Sequence, residues 1–275
     1  MKQLSIDEHT VGFRDVGAGP AVLLLHSGGL GSRQWARLMG QLGRDYRLIA
    51  PDFLGTGSSS GVPRDAPFHF NQDVVLVRRL LDALDVPEVH VVGHSYGGLV
   101  GLTLARETPA RVLSMALFEP VAFGVLYSAG EAVAIRNLEG ENDDGRFFDD
   151  AVGGDEPWLE RFIDWWQGPG RWASLEPASR EAFLTVGRKV YQEVRSLTAD
   201  RTPHEAYAGL TVPTLLMTAS ESPLAAQRLV TVLAETMPAA SLRVFEDAGH
   251  MAPLTHGRAV NEAIVTHLSE AVGAE

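Results

Sequence analysis

The amino-acid sequence predicts an α/β fold in which a mostly parallel sheet is flanked by helices. Short apolar runs of β-rich composition recur along the chain, and helix-length segments lie between several of them. Near-continuous apolar runs are typical of strands buried on both faces of a parallel sheet. The runs are 21–26, 46–50, 89–92, 112–118, 212–217 and 242–245. Their alternation with helices indicates an open α/β sheet.

Two of the intervening segments, 73–84 and 99–107, carry apolar residues at helical spacing. Residues 4–16, which precede the first run, are predicted to form a hairpin. Between Pro120 and Leu210 the alternation stops, and two amphipathic helical patterns appear instead, one starting at Pro157 and one over 180–197. The predicted organisation is therefore a core domain of residues 1–120 and 211–275, with a helical cap of residues 121–210.

Composition and charge narrow the class of function. The 275 residues include 45% hydrophobic residues, enough for a core of their own, and the net charge is −12. This charge disfavours nucleic acid and anionic membrane surfaces as partners. A small-molecule substrate is the expected partner, and a homodimer is possible. There is no cysteine, so a thiol nucleophile and thiolate metal sites are excluded. No export signal or membrane-spanning run is seen, and a cytoplasmic location is expected.

A G-x-S-x-G pattern, Gly93-His94-Ser95-Tyr96-Gly97, lies where the predicted strand 89–92 passes into a helix. A sharp turn at this place requires small residues around the serine and exposes the serine hydroxyl at the helix N-terminus. The pentapeptide alone is a weak signal, and a plain strand-to-helix turn is the alternative. In its strand-to-helix context, the pattern predicts Ser95 as a nucleophile.

A serine hydroxyl requires a base that takes its proton. Among the nine histidines, His250 has the best position. It follows the last predicted strand in a loop with Gly249, at the carboxyl edge of the sheet where ligands bind in open α/β folds. His250 is therefore the predicted base.

The oxyanion of a tetrahedral intermediate requires backbone N–H donors that are fixed before the reaction. The segment His26-Ser27-Gly28-Gly29 follows the first core strand, and its glycines let the backbone approach a substrate. We expect the N–H of Gly28 to act together with that of Tyr96. A glycine-rich turn without a chemical role is the alternative.

These motifs, together with 52–59, follow in order those of the α/β-hydrolase family, which the chain resembles over nearly its whole length. The resemblance is to the branch of small esterases, C–C bond hydrolases and cofactor-free haloperoxidases. It implies an α/β-hydrolase fold with the helical cap inserted after the sixth strand, and no cofactor. In haloalkane dehalogenases and epoxide hydrolases the nucleophile position holds Asp, so Ser95 argues against both activities.

The sequence departs from the family pattern at two places. Ser27 stands where the family usually has Gly, and it is assigned here to the substrate-binding residues. The usual acid follows the strand 212–217, but Ser222 fills that slot and Glu221 lies one residue away. In a variant layout the acid follows the sixth strand, where this chain has Glu119. Glu119 is the preferred acid and Glu221 the alternative.

The leading functional hypothesis is hydrolysis of an ester, or a similar acyl bond, through an acyl-enzyme on Ser95. Three tryptophans of the cap, Trp158, Trp165 and Trp166, offer apolar surface to a substrate, although they are equally suited to attaching the cap to the sheet. A β-diketone C–C hydrolase and a receptor that binds without turnover are the alternatives. A metal site is not expected, because no His pair at i, i+4 lies near a carboxylate.

Overall fold

Eight strands form a single sheet in the computed structural model, which describes residues 1–64, 66–140 and 145–273. They are β1 (Lys2–Ile6), β2 (His9–Val16), β3 (Ala21–Leu25), β4 (Arg47–Pro51), β5 (Val89–His94), β6 (Val112–Phe118), β7 (Thr214–Ala219) and β8 (Ala240–Phe245). Their order is β1-β2-β4-β3-β5-β6-β7-β8. β1 and β2 form the predicted N-terminal hairpin, and β2 also runs antiparallel to β4. All the other neighbouring pairs are parallel, so the predicted α/β fold is confirmed.

The central strands are largely apolar because both faces of the sheet are covered. Every residue of β5 and of β7 is buried. The helices are α1 (Ala36–Leu42), α2 (Asn71–Ala83), α3 (Tyr96–Glu107), α4 (Gly124–Ser128), α5 (Ala132–Glu139), α6 (Glu156–Gln167), α7 (Arg171–Ser174), α8 (Pro177–Ala199), α9 (Leu224–Thr236), α10 (Ala252–Thr255) and α11 (Gly257–Val272). Helices α1 and α11 cover one face, and α2, α3 and α9 cover the other.

Helices α4 to α8 lie in the long connection between β6 and β7. The described residues of this connection contain no strand. A 3₁₀ turn at His204–Tyr207 precedes β7. The segment also has an apolar cluster of its own, built from aromatic and aliphatic side chains of α6, α7 and α8 together with Phe147. Among the residues that the structure describes, no helix is long and apolar enough to cross a membrane.

Candidate active site

Ser95 lies in the sharp turn between β5 and α3. Its backbone angles are φ 55° and ψ −117°, a conformation that a residue with a side chain adopts only when its surroundings impose it. The close approach of neighbouring backbone requires glycine nearby: a Cβ on Gly97 would lie 2.3 Å from the carbonyl oxygen of Leu25 in β3. The helix α3 begins at Tyr96, directly after Ser95 and three residues earlier than the apolar spacing predicted.

Glu119 and His250 meet at the carboxyl edge of the sheet. Glu119 immediately follows β6, and its Oε2 lies 2.6 Å from Nδ1 of His250. Its other oxygen, Oε1, accepts hydrogen bonds from the Thr218 hydroxyl at 2.7 Å and the Ala219 N–H at 3.1 Å. Both Glu119 and His250 are buried. Since a carboxylate at Nδ1 accepts a hydrogen bond from an N–H there, the proton of the neutral ring stays on Nδ1, and Nε2 of His250 keeps its lone pair and can act as a base.

Glu221, the alternative acid, occupies a different environment. It lies just beyond β7 and is exposed, and its backbone N–H donates to the carbonyl of Ala248. The structure does not bring its carboxylate to His250. Ser222, in the slot usually held by the acid, is buried, and its hydroxyl has no hydrogen-bond partner among the described residues.

The loop after β3 contains a backbone N–H without an acceptor at the edge of the cavity. The N–H of Ser27 donates to the side-chain oxygen of Gln34 at 2.9 Å and is therefore occupied. No residue in the described part of the chain accepts a hydrogen bond from the N–H of Gly28. The N–H of Tyr96, in the first turn of α3, also lacks an intrahelical acceptor. Both of these residues border the same cavity as Ser95.

A buried chain of polar groups links this loop to His250. The side-chain amide of Gln34 lies 3.1 Å from Nδ1 of His94, and Nε2 of His94 lies 2.9 Å from the backbone oxygen of His250. Burial, followed by the proximity of His250, holds the pKa of His94 well below its usual value. A neutral His94 accepts from Gln34 and donates to His250, and so fixes the backbone of the predicted base. The sequence indicated no role for His94, although its place beside Ser95 was a signal.

His26 fixes the other end of the loop. Its Nε2 accepts the backbone N–H of Phe53 at 3.1 Å, so the proton lies on Nδ1, 2.8 Å from the oxygen of Ser27. Burial lowers the pKa of His26 to about 4. The ring therefore stays neutral at physiological pH and holds the loop in place.

An apolar cavity lies between the sheet edge and the helices of the 120–213 connection. It is bordered by Ser95 and His250, and by Ser27, Gly28 and Tyr96 of the predicted set. The ring of Trp166 stacks on that of His250, with centroids 3.7 Å apart and an angle of 22° between the planes. Trp165 also borders the cavity and meets Trp166 edge to face.

The structure places Trp158 away from the cavity. Among the described residues that border the cavity, Trp158 does not occur. It packs instead between Phe147 and Phe162, and its indole N–H donates to the Phe147 carbonyl at 2.8 Å. Helical spacing placed all three tryptophans on one helix, but the face of α6 that holds Trp158 points into the apolar cluster of the 120–213 connection.

A buried ionic cluster beside the cavity was not predicted. Nζ of Lys189 lies 3.0 Å from Oδ2 of Asp73 and 2.6 Å from Oε1 of Glu193. Burial raises the pKa of Glu193 to about 7. Lys189 and Glu193 are four residues apart on α8, a spacing that in a sequence resembles an ordinary surface ion pair. Over the described ranges, no group of three His, Asp or Glu side chains is arranged to hold a metal ion.

Comparisons with known proteins agree with this architecture. A family model described as the alpha/beta hydrolase fold matches residues 20–257. The 2-hydroxymuconate semialdehyde hydrolase of Pseudomonas sp. strain CF600 is 28% identical over 94% of this chain and 89% of its own length. The acetyltransferase component of the acetoin cleaving system of Cupriavidus necator is also 28% identical, but this chain spans only 65% of it. The fluoroacetate dehalogenase of a Burkholderia species is matched over 38% of its length, with 34% identity.

Solved structures of similar shape cover nearly the whole chain. A variant of a meta-cleavage product hydrolase has a TM-score of 0.68 and 25% identity over 98% of both chains. An esterase from Exiguobacterium antarcticum has a TM-score of 0.71 over 96% of this chain and 97% of its own, with 20% identity. The esterase supports the fold alone.

Proposed function

Because this chain belongs to the α/β-hydrolase family, we propose that it is a serine hydrolase that cleaves an ester, or a similar acyl bond, of a small and largely apolar substrate. One observation carries the proposal: Ser95 and His250 border the same apolar cavity, and Glu119 lies 2.6 Å from Nδ1 of His250. A nucleophile, an oriented base and an unoccupied pair of N–H donors at a single cavity are what acyl transfer requires.

In the proposed reaction, the Ser95 oxygen attacks the substrate carbonyl carbon while Nε2 of His250 takes the hydroxyl proton. The N–H groups of Gly28 and Tyr96 donate to the resulting oxyanion. When the intermediate collapses, the bond to the leaving group breaks, and His250 returns the proton to the departing oxygen. Water then attacks the acyl-enzyme with His250 again as base, which releases the acid and restores Ser95. Glu119 stabilises the imidazolium in both steps.

A C–C bond hydrolase is the second candidate. It is favoured by one specific observation, the 28% identity to 2-hydroxymuconate semialdehyde hydrolase across 94% of this chain. Ser95, His250 and Glu119 would serve in it as well, with a ketone carbonyl in place of the ester.

The two candidates are separated by substrate trials. We expect p-nitrophenyl esters of increasing acyl length to be turned over, with lactones and β-diketones as parallel substrates, and Ser95→Ala as the control that loses turnover. Preferential cleavage of diketones would favour the C–C hydrolase. Thermal stabilisation by these compounds without any product would instead indicate a receptor.

A further inference from the structure

Glu193 is a buried carboxyl that borders the cavity and has no part in the proposed reaction. It belongs to α8, and it approaches the loop after β3 so closely that a Cβ on Gly28 would lie 2.6 Å from its Oε2. Only 1% of the residue is exposed, yet it is among the residues that line the cavity. The carboxyl therefore lies beside one of the two N–H donors proposed for the oxyanion.

The two oxygens of Glu193 are in different situations. Oε1 accepts a hydrogen bond from Nζ of Lys189 at 2.6 Å. Oε2 makes no hydrogen bond to any residue that the structure describes, and Glu193 lines the cavity. A carboxyl oxygen that has no protein partner at a cavity is free to form a hydrogen bond with a bound molecule.

The charges of the cluster determine where a proton resides. Asp73 accepts from Lys189, from the Tyr96 hydroxyl at 2.7 Å and from the Leu54 N–H at 2.9 Å, and these three donors stabilise its negative charge. One cation thus serves two carboxylates. Burial raises the pKa of Glu193 to about 7, and the protonated form would carry its proton on Oε2, because Oε1 accepts a hydrogen bond from Lys189. The charged or titratable groups of the described chain that face Glu193 are Lys189 on α8, Asp73 on α2 and the Tyr96 phenol on α3.

We propose that Glu193 is a substrate-binding residue whose protonated carboxyl donates a hydrogen bond from Oε2 to an oxygen next to the carbonyl that Ser95 attacks. This inference rests on the proposed function. The oxygen belongs to the acyl part, because the leaving group must lie at His250 to receive its proton, whereas Glu193 lies at Gly28. The substrate class is accordingly esters of acids that carry a hydroxyl, ether or keto oxygen on the carbon next to the carboxyl.

The test compares two esters of the same size, ethyl methoxyacetate and ethyl butyrate, which differ by an ether oxygen in place of a methylene group. The ether oxygen only accepts hydrogen bonds, so it requires the protonated form of Glu193. We expect the ratio of kcat/KM for the two esters, measured in a pH-stat, to be about tenfold larger at pH 6 than at pH 8.5, the magnitude of one hydrogen bond. Because the difference in chemical reactivity between the esters is the same at both pH values, it cancels.

Three variants sharpen the test. In Glu193→Gln the amide oxygen keeps Lys189 and the NH₂ group faces the cavity, so the preference for methoxyacetate should persist and become independent of pH. In Glu193→Leu the preference should fall about tenfold at pH 6 and also lose its pH dependence. Glu181→Gln, the same change at an exposed position of α8, should behave as wild type. If Glu193→Leu does not fold, wild type and Glu193→Gln alone decide the question.

A ratio that is equal at pH 6 and pH 8.5 in wild type would overturn the assignment of Glu193 while leaving the proposed function intact. If neither ester were cleaved and an organophosphonate did not modify Ser95, the proposed function would fail and the assignment with it.

Discussion

Replacing Glu119 by glutamine tests whether Glu119 is the acid that orients His250, because the structure fixes the orientation of the new amide. The Ala219 N–H donates to Oε1 at 3.1 Å and, being a backbone group, can only donate. The amide oxygen of Glu119→Gln must therefore remain on that side, and its NH₂ group must face Nδ1 of His250, now 2.6 Å from Oε2. The reversed amide would bring two donors together at Ala219.

An NH₂ group at Nδ1 favours the His250 tautomer that carries its proton on Nε2, and this tautomer cannot accept the proton of Ser95. We expect kcat to fall by a factor on the order of 10² to 10⁴, as when the acid of a serine triad is converted to its amide. This corresponds to roughly 3 to 5 kcal/mol of lost transition-state stabilisation. The measurement is kcat on the best ester, corrected for the fraction of active sites, with thermal unfolding to show that the variant is folded.

Glu221→Gln is the matched control, because it makes the same chemical change at an exposed position beyond β7. It should change kcat by less than about twofold, since surface substitutions away from a site have small effects. If Glu221→Gln lost activity while Glu119→Gln retained it, Glu221 would be the acid and the reasoning from the 2.6 Å contact would be refuted.

Two further predictions concern stability and the cavity. Gly97→Ala should strongly destabilise the protein, because its Cβ would lie 2.3 Å from the Leu25 carbonyl oxygen. Gly40→Ala in α1 meets nothing within 4 Å and should raise the free energy of unfolding by up to about 1 kcal/mol. Urea titration of both variants measures these changes, and equal effects would contradict the prediction. Trp158→Ala should lower the free energy of unfolding by about 3–5 kcal/mol and leave the relative rates on the ester panel unchanged. Trp166→Ala should alter those relative rates and lower kcat/KM by roughly two- to tenfold, since it removes the ring stacked on His250. If Trp158→Ala changed the relative rates and Trp166→Ala did not, these two predictions would be refuted.

Much of the fold could be predicted from the sequence because it depends on local periodicity. Continuous apolar runs mark strands that are buried on both faces, and the predicted boundaries differ from the observed ones by only a few residues: the run at 212–217 became β7 at Thr214–Ala219. The hairpin and the change to helices after Pro120 were likewise visible as patterns, because each depends on residues close together in the chain.

The sequence patterns give no information where a role depends on the direction of a side chain or on a partner far along the chain. Spacing placed Trp158 and Trp166 on one helix, but which of them reaches the cavity depends on how α6 rotates against the sheet. Lys189 and Glu193 have the pattern of a surface pair, and only the approach of Asp73, 116 residues earlier than Lys189, makes them a buried cluster. Long-range polar contacts of this kind leave no periodic signal in the sequence.

Whether Ser95 is the nucleophile of an acyl transfer is tested by covalent labelling with a 4-nitrophenyl alkylphosphonate ester, followed by peptide mapping in a mass spectrometer. Such a compound is attacked as an ester is, but the adduct does not hydrolyse quickly. We expect one phosphonyl group per chain, located on Ser95, release of 4-nitrophenol in equal amount, and no label in Ser95→Ala. A label on another residue, or inhibition of turnover with Ser95 unmodified, would contradict it.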